Sequence, residues 1–336
     1  MTRYAGGVPH VLAFVVAGLA LAGQAWVVSV SVEQIGHRLG PSITGVLQST
    51  IGNLPEFFVV IFALQARAVT VAQTAILGSI LVNALLVLGL VLIAGSLRAP
   101  DGVMRFNARL PNDTATLLLV SSFIIVLVGL AIASHDPASH HTKTISIVGA
   151  GAILVVYAWW LRQYLRADDS GARSDRSGGG ARSGASVPAA ITALVAAGTA
   201  SAFTSDWFVH ALEPTIHTLH ISQAFAGLVI VAIAGNAVEN FVGIALAYKG
   251  RNDLAISVVK NSVAQIAAFL FPVLVLVSLL TASSLTFAIA PVYIGALFGT
   301  AVLVWQITGD GEATPFEGAA LVATFVILAT VAAFEH

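Results

Sequence analysis

A five-residue polar motif occurs twice in this chain, each time inside a stretch that is otherwise apolar. Gly52–Glu56 reads GNLPE and Gly235–Glu239 reads GNAVE, 183 positions apart. The same offset relates Phe58 to Phe241, Val59 to Val242, Ile61 to Ile244, Ala72 to Ala255, Ser79 to Ser262 and Ala84 to Ala267. A carboxylate at the centre of a bilayer costs about 2.5–3.5 kcal/mol even on insertion scales. Two of them at corresponding places in two halves of one chain point to a single ion-binding site assembled from a duplicated unit.

The surroundings of the motifs set the class. The 336 residues are 57% hydrophobic and 9% charged, with a mean hydropathy of +0.92. Soluble domains carry about 25% charged residues, so most of this chain faces lipid or other buried helices. A net charge of −1 offers nothing to nucleic acid, and the absence of cysteine excludes disulfides and thiolate metal sites. The apolar runs predict ten spans near 9–32, 42–66, 71–97, 114–134, 144–166, 188–210, 222–248, 253–281, 285–306 and 316–334, each long enough for a bilayer core. The first has no small-x-small cleavage site followed by a polar start, and is read as a span rather than a signal peptide. Residues 167–187, rich in Gly, Ser and Arg, read as a flexible linker that divides the chain into 1–166 and 188–336. The expected fold is an all-α polytopic membrane protein of about ten transmembrane helices in two five-helix repeats.

Loop charge orients the repeats. The loops after spans one, three, five, seven and nine hold eleven Arg and Lys residues, whereas the opposite side holds only Arg3, Arg67 and Lys143. The first set is therefore expected in the cytoplasm, the linker 167–187 with it, and both termini outside. Spans two and seven then cross in opposite directions. The two motifs belong to inverted-topology repeats, the plan of a secondary transporter.

The motif residues have matching chemistry. Asn53 and Glu56, and likewise Asn236 and Glu239, are three residues apart, so on a continuous helix each pair shares a face. Both pairs fall mid-span, near the bilayer midplane. Gly52 and Gly235 allow another backbone to approach closely. Pro55 lacks the N–H that would bond Ile51, which leaves that carbonyl for an ion. Carboxylates, amide oxygens and carbonyls form a hard, all-oxygen set of the kind Ca²⁺ takes. Two glutamates balance one divalent cation or bind two protons, and competition between the two for one site is an exchange mechanism.

With these motifs on the page, the chain resembles the cation exchanger (CAX-type) Ca²⁺/H⁺ antiporter family of the Ca²⁺:cation antiporter superfamily. The resemblance rests on both GNxxE motifs, on LGSILVNALLVLGL at Leu77–Leu90 and, more loosely, on KNSVAQIAAFLFP at Lys260–Pro272. It implies export or sequestration of Ca²⁺ against protons, with Glu56, Glu239, Asn53, Asn236, Gly52 and Gly235 at the site and no cofactor. It departs from the family at Asn240, where a His is usual, at Asn261, where Gly is favoured, and at Gln48, where the family has Asn. Pro55 beside Glu56 is similar to the Pro-Glu of Na⁺/Ca²⁺ exchangers, so ion selectivity is less constrained than architecture.

Further residues stand around this core. Ser79, Asn83, Ser262 and Gln265 on spans three and eight are candidate supporting ligands or interhelical ties. Asp206, where the family has an acid in its sixth helix, is placed near the outer end of span six and is a candidate proton relay. Glu33, at the cytoplasmic end of span one, is another. Lys260 is expected to point away from the site, about 200° from Ser262 on an ideal helix, and to snorkel to the headgroups. His210, Glu213, His217 and His220 share a face if helical, against which Pro214 argues; with His135, Asp136, His140 and His141 they are read chiefly as interfacial groups.

The leading expectation is a Ca²⁺/H⁺ antiporter of a prokaryotic plasma membrane, with Ca²⁺, protons and lipid as its partners and a homo-oligomer left open. A Na⁺/Ca²⁺ or broader divalent-cation exchanger is the near rival. A retinal protein, raised only by Lys260, is opposed by ten spans rather than seven. An intramembrane enzyme finds no HExxH and no nucleophile arrangement.

Overall fold

A computed structural model of the protein describes residues 9–39, 52–171 and 187–335. The apolar runs become helices because only a helix satisfies its own backbone groups in hydrocarbon. They are α1 (His10–Leu39), α2 (Leu54–Gln65), α3 (Val69–Arg98), α4 (Arg109–Ala133), α5 (Thr142–Gly171), α6 (Val187–Leu219), a broken α7 (Gln223–Gly235, then Ala237–Tyr248), α8 (Asn252–Leu280), α9 (Pro291–Thr308) and α10 (Pro315–Ala333). Among the described residues, eight helices are long and apolar enough to cross a membrane; the bent α7 makes a ninth, and α2 is shorter. The fold is thus an all-α polytopic bundle of two inverted repeats, with α1–α5 equivalent to α6–α10.

Several boundaries differ from the sequence expectation. Helix α6 continues through Pro214 to Leu219 rather than ending near 210. The bond lost at Pro214 is to the carbonyl of His210, an exposed position. Helix α5 runs to Gly171, into the expected linker, of which 172–186 lie outside the described residues. Helices α3, α7 and α8 are not uniform: each has a π-helical segment, at Val82–Val87, Ala226–Val231 and Ile266–Leu270. In α8 this segment stands directly before Pro272, which cannot donate to the carbonyl of Ala268.

The repeat symmetry is visible in the packing. Helix α1 pairs with its equivalent α6, and α4 with its equivalent α9. The second part of α3 packs on α10, and the last part of α8 packs correspondingly on α5. Helices α3 and α8 are the most enclosed. Where α3 crosses the first half of α7, a Cβ on Gly78 would overlap the carbonyl of Leu228, so the crossing is backbone against backbone.

The α1–α6 pair stands apart. Val28, Val32 and Ala197 form a small core of their own, Gln24 Nε2 donates to Thr204 Oγ1 at 2.8 Å, and Phe14 stacks on Phe208 with ring centroids 4.6 Å apart. On the face that loop charge assigns to the cytoplasm, a short antiparallel pair, β1 (Met104–Arg105) and β2 (Glu312–Ala313), ties the α3–α4 loop to the α9–α10 loop. Beyond it, Thr314 and Glu317 cap α10 reciprocally.

Candidate functional site

Each GNxxE motif is a helix break rather than a face of a continuous helix, which corrects the expectation. Asn53 (φ −92°, ψ 19°) and Asn236 (φ −97°, ψ 14°) adopt nearly the same non-helical conformation, and a new helical segment starts at the following residue. The carbonyl of Asn53 accepts from Phe57 N, and that of Asn236 from Asn240 N, both at 3.0 Å. Glu56 therefore sits in the first turn of α2, where unsatisfied N–H groups and the helix dipole favour a negative charge. Pro55 falls in the same turn, where a missing N–H costs nothing; the Ile51 carbonyl assigned to it lies outside the described residues, as does Gln48.

The Glu56 carboxylate reaches across to the other repeat. A Cβ on Gly235 would sit 3.0 Å from Glu56 Oε1 and 3.2 Å from its Cγ, so a larger residue would press the carboxylate aside by a few tenths of an ångström. Both residues line a partly open cavity of about 20 Å³ with Ser79, Ile266, Leu21 and Phe208. That volume accommodates one water-sized species, for which about 10–15 Å³ is needed. Asn53 and Gly52 are buried beside it in the chain. Glu239 lies in the second half of α7, but its side chain is outside the described residues, as is that of Glu33 in α1.

The candidate supporting residues form a buried network between repeats. Asn236 Nδ2 donates to Ser79 Oγ at 2.9 Å, and Asn83 Nδ2 donates to Asn236 Oδ1 at 2.8 Å. A longer contact, 3.3 Å, joins Asn83 Nδ2 to Ser262 Oγ. Ser79 and Ser262 thus tie helices together around Asn236. Asn83 sits in the π segment of α3 and its Oδ1 has no hydrogen-bond partner among the described residues; it is the oxygen this network leaves available. Gln265 is partly buried, at the junction with the π segment of α8.

Lys260 does not snorkel. It is 1% exposed and its Nζ has no hydrogen-bond partner among the described residues. Packing by neighbouring helices leaves the stem no route to the headgroups, which helical-wheel geometry does not reveal.

Asp206 is also relocated. Because α6 runs on to Leu219, the residue lies well inside the helix, and Ser205 Oγ contacts the Pro55 carbonyl at 3.5 Å. His210 Nδ1 lies 2.8 Å from the Asp206 main-chain carbonyl oxygen and 3.2 Å from Asp206 Oδ1, a contact that the i, i+4 spacing allows. The expected histidine face does not converge: His217 and His220 line a separate cleft with Glu335, the partner of Tyr293, and no group of three metal-ligating side chains occurs among the described residues. In the α4–α5 loop, Asp136 accepts from Ala138 N and caps a short 3₁₀ turn ending at His141. The roles of Leu21 and Phe208 in lining the cavity have no signal in the sequence.

The chain matches the family described as sodium/calcium exchanger protein over residues 9–162 and 189–334. A Ca²⁺/H⁺ antiporter of Aphanothece halophytica is 27% identical, over 96% of this chain and 90% of that protein. A vacuolar calcium ion transporter of Schizosaccharomyces pombe is 30% identical, over 94% of this chain and 77% of that protein. Among solved structures, native YfkE superposes with a TM-score of 0.80 at 27% identity, covering 97% of this chain and 93% of that one. The H⁺/Ca²⁺ exchanger CAX shares the fold, with a TM-score of 0.76 at 15% identity, covering 97% and 83%.

Proposed function

Since this chain belongs to the sodium/calcium exchanger protein family, we propose that it is a secondary active antiporter that exports Ca²⁺ in exchange for protons. The observation that carries the reading is the Glu56 carboxylate of one repeat packed against Gly235 of the other, in a cavity between repeats with room for about one small species. Relatives named as Ca²⁺/H⁺ antiporters and calcium transporters align over nearly the whole chain, which favours Ca²⁺ over Na⁺-linked exchange.

In this mechanism Glu56 and Glu239 are the alternating ligands of Ca²⁺ and protons. Amide and backbone oxygens of Asn53, Asn236, Asn83, Gly52 and Gly235 complete the coordination, Ser79 and Ser262 brace the amides, and Gln265 and the Ile51 carbonyl are further oxygen donors. A Ca²⁺ ion held by two carboxylates is electroneutral, and so are two protonated carboxyls; the empty, doubly charged site is the costly state in low dielectric. The protein therefore crosses between its two faces loaded with one or the other. Helices α1 and α6, joined to each other by their own contacts, are the moving part, and Glu33 on α1 is the proton relay assigned to the inner side. Repeats 1–166 and 188–336 are joined by a cytoplasmic linker at 167–187, with both termini outside, in a prokaryotic plasma membrane. The activity is transport rather than enzymatic conversion and uses no cofactor.

The test is ⁴⁵Ca²⁺ uptake driven by a pH gradient in everted membrane vesicles. Glu56→Gln or Glu239→Gln abolishes it while leaving a monodisperse, folded protein. Uptake driven equally well by a Na⁺ gradient without a pH gradient would move the assignment to Na⁺/Ca²⁺ exchange.

A further inference from the structure

On the face that loop charge assigns to the cytoplasm, the two repeats share a cleft of about 460 Å³. It is lined by Arg98, Asp101 and Arg105 of the first repeat and by Gly250 and Asn252 of the second. Its walls are tied together: Asn252 Nδ2 donates to the Arg105 carbonyl at 3.1 Å, and Asn107 N donates to Asp253 Oδ1 at 2.7 Å. The acids here are already engaged. Arg105 bridges Asp101 at 2.6 Å and Glu312 at 3.1 Å, and Asp253 holds the Asn107 amide. Three cations are not engaged. Arg98 in the cleft, with Lys249 and Arg251 on either side of Gly250, are exposed and make no side-chain hydrogen bond or ion pair among the described residues. Helix dipoles explain Arg98 and Lys249, each at the C-terminal end of a helix, but they oppose Arg251, which stands at the N-terminus of α8. The depth is that of the headgroups. Leu97 and Tyr248, directly before Arg98 and Lys249, are 73% and 72% exposed, as apolar and aromatic side chains are where hydrocarbon gives way to water.

We propose that this cleft binds the phosphate group of an anionic phospholipid of the inner leaflet. A phosphate diester brings the negative charge and the acceptor oxygens that the three unpaired cations lack. The Arg98 guanidinium takes two phosphate oxygens in its planar fork, while Lys249 and Arg251 add charge from the second repeat. The acyl chains lie beside the exposed Leu97 and Tyr248. Held from both sides, one headgroup pins the end of α3 to the α7–α8 turn, and so braces the repeats on the face where β1 and β2 already join them. Lys and Arg near an anionic leaflet attract it in any membrane protein; what is added here is a cavity walled by both repeats. The site is independent of the antiport reading.

Thermal unfolding and native mass spectrometry of the purified full chain test this, in phosphatidylcholine alone and with phosphatidylglycerol added. Phosphatidylglycerol is expected to raise the melting temperature and to stay bound in the mass spectrum. Arg98→Gln and Arg251→Gln each weaken that retention by roughly fivefold, the factor expected for one cation beside an anionic surface. Arg162→Gln removes an exposed cation from the same face but outside the cleft, and leaves retention unchanged. Asp101→Asn frees Arg105 from one of its two acids and strengthens retention, an opposite sign that damage to the fold would not give. Melting in phosphatidylcholine alone is each variant's own reference. Equal losses in Arg98→Gln and Arg162→Gln would reduce the effect to diffuse surface charge, and equal retention of the two lipids would leave no site; either result overturns the proposal. A matching rise in melting temperature with inorganic phosphate in detergent would overturn the lipid as the source of the phosphate.

Discussion

Glu56 of the first repeat packs against Gly235 of the second, so closely that a Cβ on the glycine would crowd its carboxylate. A methyl group there would stand 3.0 Å from Oε1 and 3.4 Å from the carboxyl carbon. Gly235→Ala displaces the carboxylate rather than removing it. The apparent Ca²⁺ affinity in the uptake assay falls by about tenfold or more, equivalent to about 1.4 kcal/mol, with the melting temperature little changed. Unaltered affinity would mean that this acid is not a ligand.

The amide of Asn236 ties α7 to α3 through Ser79 and Asn83. Asn236→Ala leaves the hydroxyl of Ser79 short of a partner, at a cost of about 1–3 kcal/mol for the buried group left unsatisfied, whereas Asn83 Nδ2 keeps the Ser79 carbonyl at 2.9 Å and Ser262 Oγ at 3.3 Å. Thermal unfolding in detergent reads this directly. Ser79→Ala, which loses a 2.9 Å contact, lowers the melting temperature more than Ser262→Ala, which loses one of 3.3 Å.

Lys260 is a buried amine with no hydrogen-bond partner among the described residues. Lys260→Met keeps the volume and removes the desolvation cost, so unfolding shifts upward by about 1–3 kcal/mol or more. A lower melting temperature would reveal a counter-charge that holds the amine.

The α3–α4 loop carries a pH-dependent contact. Arg105 donates to Asp101 Oδ2 at 2.6 Å and holds that carboxyl below its usual value of 3.8. A carboxyl whose pKa is lowered by folding contributes stability above its unfolded value, and loses it as the pH falls through the lower folded value. Asp101→Asn accordingly lowers the melting temperature slightly at neutral pH, and the difference vanishes in acid below that titration. Because the group is fully exposed and screened, the effect is small; a difference that persists in acid would point to packing instead of charge.

Much of the site was legible because its residues violate their surroundings. Glu56, Asn53 and Asn236 stand out as polar letters in apolar runs, and Ser79 and Ser262 follow from the repeat offset. What misled was the assumption of continuous helices. Asn and Glu three apart read as one face, whereas Asn53 and Asn236 end one helical segment and begin another. Pro214 read as a stop, yet an exposed carbonyl at His210 lets the helix pass it. The cross-repeat partners have no local signal, since Asn83 and Asn236, 153 positions apart, meet only through the packing of α3 on α7.

The sequence by itself determined that this is a membrane-spanning, internally duplicated protein with two acids where acids are costly. Hydropathy, loop charge and repetition are properties of segments and need no partner to be read. Only the tertiary structure decided which groups face one another. Glu56 lies on Gly235, Lys260 is sealed, and Asp206 turns to His210 instead of capping a helix end. Those outcomes depend on where helices cross and how closely their backbones approach, which long-range packing sets and no local pattern encodes.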